Sequence, residues 1–173
     1  MTVKDIITIP DPVLRQNCTP IEDVTSELTT LMDDMLETMY AAPGIGLAAP
    51  QIALPIRMIV MDDANKEEGD KPNPIIMLNP EIVESADELS GYEEGCLSIP
   101  EYFAEIERPA WVRVTYRDKK GKAQELKCEG LLATIVQHEI DHLDGKLFID
   151  YLSKLRRDRV VKKFVKAKKA AAL

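Results

Sequence analysis

Apolar residues along this chain repeat with two periods, and the change from one to the other outlines a fold. Between positions 25 and 41, Leu28, Leu31, Met32, Met35, Leu36 and Met39 recur at spacings of three and four, the signature of an amphipathic helix. Thr25 offers an oxygen to cap its first turn, and Pro43-Gly44 stops it. Residues 6–15 form an opening segment punctuated by Pro10 and Pro12. Beyond the helix, a loop over 44–51 leads to Arg57-Met58-Ile59-Val60-Met61, a run with the length of a buried strand. Residues 62–73 are polar and predict an exposed loop. Residues 75–78 and 81–83 are strand-like on either side of Asn79-Pro80. From Trp111 the pattern alternates, with Val112, Val114 and Tyr116 on one face. Lys119-Lys120-Gly121 then turns the chain into a second strand over 123–128, giving a hairpin. After Gly130 the period becomes helical over 131–143 and ends at Asp144-Gly145. Ser153 can cap a last helix carrying Leu155, Val160, Val161, Phe164 and Val165. Strands fill the middle, and helices lie at the ends and between them. The expected class is α+β: mainly antiparallel sheets around a central helix, with an N-terminal and a C-terminal helix.

Composition narrows the functional classes. A length of 173 residues suits one domain, and no repeat or low-complexity linker divides it, so a single domain over 1–173 is expected. No stretch approaches the roughly 18 apolar residues of a membrane span. The opening residues lack the pattern of a secretory signal, and Asp5 and Asp11 argue against a transit peptide. Three cysteines without a secretion signal read as free thiols in a reducing cytoplasm. The net charge of −8 hides an asymmetry: Lys154, Arg156, Arg157, Arg159, Lys162, Lys163, Lys166, Lys168 and Lys169 crowd the C-terminus, with Asp158 the one acid among them. The acidic remainder disfavours binding of DNA or RNA by the main body, and only the tail is suited to touch a polyanion.

Both histidines of the chain lie in His138-Glu139-Ile140-Asp141-His142. Positions four apart share a helix face, so both imidazoles can reach one metal ion. Glu139, about 100° further round, can reach a water on that ion without becoming a ligand. Two imidazoles do not make a tight site, and a third donor must be a carboxylate or a thiolate. Cys96, in Glu94-Gly95-Cys96-Leu97-Ser98, sits in what reads as an irregular segment, where Gly95 lets a side chain come close. Cys18 and Cys128 read as small buried hydrophobes. Asp144 and Asp150, downstream of the helix, remain open as donors on the pattern of a zinc endopeptidase. A structural metal module closed by Cys18 or Cys128 is a further, non-enzymatic reading.

Three blocks resemble those of the peptide deformylases: Gly44-Ile45-Gly46-Leu47-Ala48-Ala49-Pro50-Gln51, Glu94-Gly95-Cys96-Leu97-Ser98 and Gln137-His138-Glu139-Ile140-Asp141-His142. Ile9-Pro10-Asp11 with Leu14-Arg15, and Gly145-Lys146-Leu147-Phe148, extend the likeness over nearly the whole chain. The helical C-terminus is similar to the common bacterial type. The resemblance implies that Cys96, His138 and His142 ligate one divalent metal ion, with water in the fourth position. The ion is expected to be Fe²⁺, with Ni²⁺, Co²⁺ or Zn²⁺ as substitutes. It also implies removal of the N-formyl group from formyl-methionyl nascent chains, releasing formate. Metal-bound hydroxide would attack the formyl carbon, with Glu139 as general base and acid. The Gln51 amide and the Leu97 N–H would stabilise the oxyanion. Gly46 and Gly95 would let the peptide pair as an added strand. Ile45, Tyr92, Leu131, Thr134 and Ile135 are the expected pocket for the methionine side chain, although Thr134 is more polar than such a pocket calls for. Glu94 is expected to pair with Arg108 and brace the Cys96 segment. A co-translational substrate makes the basic C-terminal helix a candidate contact for ribosomal RNA.

Overall fold

The computed structural model describes residues 2–65 and 67–172. Helix α1, Ser26–Ala41, begins where Thr25 accepts a hydrogen bond from the Leu28 N–H. Its buried stripe of Leu28, Met32, Met35 and Met39 packs on Leu47, Met58, Val60 and Leu78 from the adjoining strands. Methionine suits this face because its unbranched side chain fills irregular gaps between a helix and a sheet.

Five strands form one antiparallel sheet in the order β1-β2-β3-β6-β7. They are β1 Gly46–Ala48, β2 Met58–Met61, β3 Ile75–Ser85, β6 Trp111–Arg117 and β7 Ala123–Glu129. The hairpin β6–β7 pairs in unbroken register from Trp111↔Glu129 to Arg117↔Ala123, as its alternation predicts. Strand β3 runs through Asn79-Pro80 rather than breaking there. A register shift between Leu78 and Glu81 absorbs the proline, and Asn79 takes a φ of 51°. Most of the 62–73 loop is exposed, as expected, but Asp62 is buried and accepts the Tyr40 hydroxyl at 2.5 Å; Lys66 lies outside the described residues.

Two elements depart from the sequence reading. Gly46–Ala48, expected within a loop, is the edge strand β1 and pairs with β2. Residues 89–109, in which only an irregular Cys96 segment was expected, form a second sheet from β4 Leu89–Cys96 and β5 Ile99–Pro109. Cys96 therefore ends a strand. A register shift between Gly95 and Cys96 re-aims its side chain just before the turn at Leu97-Ser98.

Helix α2, Gly130–Leu143, packs against β1, β2 and β7 of the larger sheet and also touches β5. Ala133, Val136, Ile140 and Leu143 join Ile59, Met61 and Val112 in one core cluster. The helix ends at Gly145, whose φ of +74° is the left-handed conformation that glycine adopts freely. A Cβ there would also stand 2.5 Å from the Arg15 carbonyl oxygen. A 3-10 turn, Phe148–Tyr151, then leads to α3, Lys154–Ala171, capped by Ser153. In α3 only Val160 is buried, and the basic residues lie outward. Among the described residues no helix is long and apolar enough to cross a membrane.

These two helix ends predict a contrast in stability. Thr25→Ala removes one cap and costs about 1 kcal/mol. Gly145→Ala costs about 1–3 kcal/mol from the left-handed backbone alone, with the contact to Arg15 in addition. Urea denaturation midpoints at fixed m-value check the order; a milder effect at Gly145 contradicts it.

Candidate metal centre and cleft

Helix α2 carries polar residues on a buried stretch, and each has a defined neighbour. His138 and His142 are one turn apart, with ring centroids 5.1 Å from each other and planes at 67°. Cys96, delivered from the end of β4, places its Sγ 3.4 Å from His142 Nε2. Donor atoms of Cys96, His138 and His142 all lie within 4.8 Å of one another. One thiol and two imidazoles at this separation match the donor types of a mononuclear transition-metal site.

The second nitrogen of His138 is also fixed. Its Nδ1 lies 2.9 Å from Glu94 Oε1, so Nδ1–H donates to the carboxylate and Nε2 keeps the lone pair that an ion could take. The ring stacks on Phe148 at 5.9 Å. Glu94 in turn accepts two hydrogen bonds from Arg108, Nε to Oε2 at 2.7 Å and Nη2 to Oε1 at 3.0 Å. This pair was expected from the sequence. Its burial was not: both side chains are only 4% exposed. Burial raises the Glu94 carboxyl, but the hydrogen bonds and charges of His138 and Arg108 outweigh it and hold the group below the usual range. Burial lowers His138, yet Glu139, Cys96 and Glu94 overcome it and favour the charged ring. The donor set fits a divalent ion.

Glu139 sits beside the donors. Burial pushes its carboxyl up to about 7, against the opposing charges of His138 and Arg108. Its Oε1 is buried with no hydrogen-bond partner, and its Oε2 would meet a Cβ built on Gly46 at 2.5 Å. Any side chain at position 46 therefore displaces this carboxylate. Gln51 is buried rather than solvated. Its Oε1 accepts from the Ala48 N–H at 3.0 Å, which turns Nε2 toward Ser98 Oγ at 3.1 Å and Cys96 Sγ at 3.5 Å.

A cleft of about 510 Å³ opens over these groups. The edge strands β1 and β4 contribute to its walls, with α2 at its base. Gly46, Gln51, Gly95, Cys96, Leu97, His138 and Glu139 all line it. So do the five residues expected to form a side-chain pocket: Ile45, Tyr92, Leu131, Thr134 and Ile135. Ile45 and Leu131 are exposed at its rim, while Thr134 and Ile135 are buried in its wall. His142 lies buried behind Cys96. At Gly95 the missing side chain admits the Phe103 ring, which a Cβ would meet at 2.5 Å. Ser98 and Phe148 fall within the quoted blocks but were given no role, and Phe103 was not singled out, because a serine and two phenylalanines carry no spacing signal by themselves.

The competing donors are engaged elsewhere. Asp144 pairs with Arg57 at 3.1 Å and Asp150 with Arg15 at 2.7 Å. Cys18 and Cys128 belong to the core cluster between α2 and the large sheet, and burial raises both thiols to about 11.

Fold and centre together define a cleft built around one cysteine and two histidines that could hold a metal ion. Residues 3–158 match the family model of polypeptide deformylase. A peptide deformylase of Rhizobium meliloti (strain 1021) is 57% identical over 169 residues, covering 98% of this chain and 96% of the relative. One from Bradyrhizobium diazoefficiens is 60% identical over 173 residues, covering 99% of each. The crystal structure of peptide deformylase from Ehrlichia chaffeensis superposes with a TM-score of 0.91 at 39% identity, over 99% of this chain and 100% of that one. A second crystal structure of that enzyme, in complex with actinonin, gives 0.90 at 41% identity, over 96% and 98%. The chain belongs to the polypeptide deformylase family, a family of metal-dependent hydrolases.

Proposed function

We propose that this chain removes the N-formyl group from the formyl-methionine of nascent polypeptides, releasing formate and a free amine. The observation that carries the reading is the meeting of Cys96, His138 and His142 within 4.8 Å at a cleft that also holds the Glu139 carboxylate. Family membership supports the same activity, and the actinonin complex of the Ehrlichia relative supports a cleft that accepts ligands.

Cys96, His138 and His142 hold one divalent ion, Fe²⁺ by the habit of the family, with Ni²⁺, Co²⁺ or Zn²⁺ able to replace it. Such an ion supplies a Lewis acid that polarises the formyl carbonyl and acidifies water. Glu139 does the proton work: its unpartnered oxygen takes a proton from the attacking water and returns it to the departing amine. A carboxyl raised to about 7 by burial is suited to both directions of that transfer. Gln51 Nε2, already aimed at the sulfur by the Ala48 contact, and the Leu97 N–H stabilise the oxyanion. The peptide backbone adds as a strand along the free edges of β1 and β4 at Gly46 and Gly95. Ile45, Tyr92, Leu131, Thr134 and Ile135 enclose the methionine side chain. Residues 1–173 act as one catalytic domain in the cytoplasm.

Glu139→Gln preserves the shape of the cleft and removes the base. The variant is expected to fold and to bind metal as the parent does, while formate release from a formyl-Met tripeptide falls at least ~10²-fold. Turnover at the parent rate contradicts the mechanism.

The outward basic face of α3 supports a contact with ribosomal RNA close to the emerging substrate. Deleting residues 154–173 is expected to weaken co-sedimentation with ribosomes, with a salt dependence that flattens relative to the full chain. Unchanged co-sedimentation contradicts the contact.

A further inference from the structure

The group that secures His138 does not end at Glu94. Arg108 uses its remaining edge outward: Nη1 donates to Asp141 Oδ2 at 2.8 Å and approaches the Tyr151 hydroxyl at 3.3 Å. The same Asp141 oxygen accepts the Tyr151 hydroxyl at 2.8 Å. The guanidinium carbon also lies 4.7 Å from the centre of the Tyr151 ring. A guanidinium is planar and rigid. With Nε and Nη2 on Glu94 and Nη1 on Asp141, it cannot rotate without breaking a charged hydrogen bond.

Asp141 comes from α2 itself, between the two histidines, and Tyr151 from the turn that precedes the basic helix. Three separate elements thus clamp one arginine. The clamp has one outlet toward the cleft, since Glu94 Oε1 receives both Arg108 Nη2 and His138 Nδ1. His142 has no such support: its Nδ1 finds no hydrogen-bond partner among the described residues. Of the two imidazoles, His138 is thus the one held from behind by a hydrogen-bonded carboxylate.

We propose that Asp141 and Tyr151 are positioning residues of the metal centre, fixing the plane of Arg108 so that Glu94 keeps His138 Nε2 turned to the ion and slows its loss. Tyr151 touches neither the donors nor the cleft and is half exposed, so its effect on the centre passes through Arg108 and Asp141. The proposal rests on the reading of Cys96, His138 and His142 as a metal site.

The test uses full-length protein loaded anaerobically with Co²⁺, whose absorption bands report ligand geometry. Tyr151→Phe removes one hydroxyl, and Asp141→Asn weakens the Arg108 contact. Both are expected to release Co²⁺ to excess chelator about tenfold faster than the parent, the lower end of the range for groups behind metal ligands. Their visible bands are expected to shift. Arg113→Gln is the control, because Arg113 pairs with Glu84 at 3.0 Å on the large sheet and touches neither Arg108 nor the donors. Its release rate and spectrum are expected to match the parent. Tyr151→Phe with parental release and spectrum overturns the proposal, as does an equal acceleration in Arg113→Gln. A parent that takes up no Co²⁺ overturns the metal reading and the clamp together. Parental uptake with no formate release removes the proposed activity and leaves the clamp standing.

Discussion

A thiol at the end of a strand has to meet two imidazoles on a helix, and most of this fold serves that meeting. Strand β4 delivers Cys96 only because the ladder with β5 slips between Gly95 and Cys96, re-aiming the last side chain. Helix α2 presents His138 and His142 because its apolar side is seated on the large sheet through Val136, Ile140 and Leu143. Neither element makes a site alone. The small sheet and the helix are joined at the same place by Glu94, which is three-quarters of the way along β4 and touches His138.

That joint has an energetic logic. Burying a carboxylate, a guanidinium and an imidazole costs several kcal/mol per ion unless each is hydrogen-bonded. Here each charge answers another: Arg108 faces Glu94 and Asp141, and Glu94 faces Arg108 and His138. Glu139 differs: one of its carboxylate oxygens has no hydrogen-bond partner among the described residues. An unsatisfied buried carboxylate is destabilising in a structural role, and its position in the cleft wall beside the donors is where a proton carrier is useful.

Much of this was legible in the amino-acid pattern, for reasons that differ by element. The helices announced themselves through a period of 3.6 with recognisable ends at Thr25, Gly145 and Ser153, and the β6–β7 hairpin through alternation of Val112, Val114 and Tyr116. The second sheet was hidden. Its buried positions include Glu94 and Arg108, so charge falls where alternation calls for an apolar residue, and Gly91 and Gly95 read as loop. Strand β1 was too short to show any period. The donors stood out because the chain has only two histidines and both lie on one helix face. Cys96 did not stand out on residue pattern alone, since its approach depends on the missed β4–β5 ladder; the family likeness singled it out. The support behind His138 is a tertiary feature, in which position 94 meets position 108 across a hairpin and position 138 on a helix, and position 108 in turn meets position 141. No local spacing encodes it.

The most direct measurement of the central claim is X-ray absorption at the metal edge of protein purified anaerobically. The account predicts one sulfur and two imidazole nitrogens around the ion, with the sulfur lost in Cys96→Asp. A shell without sulfur, or one with two or more sulfurs, contradicts it.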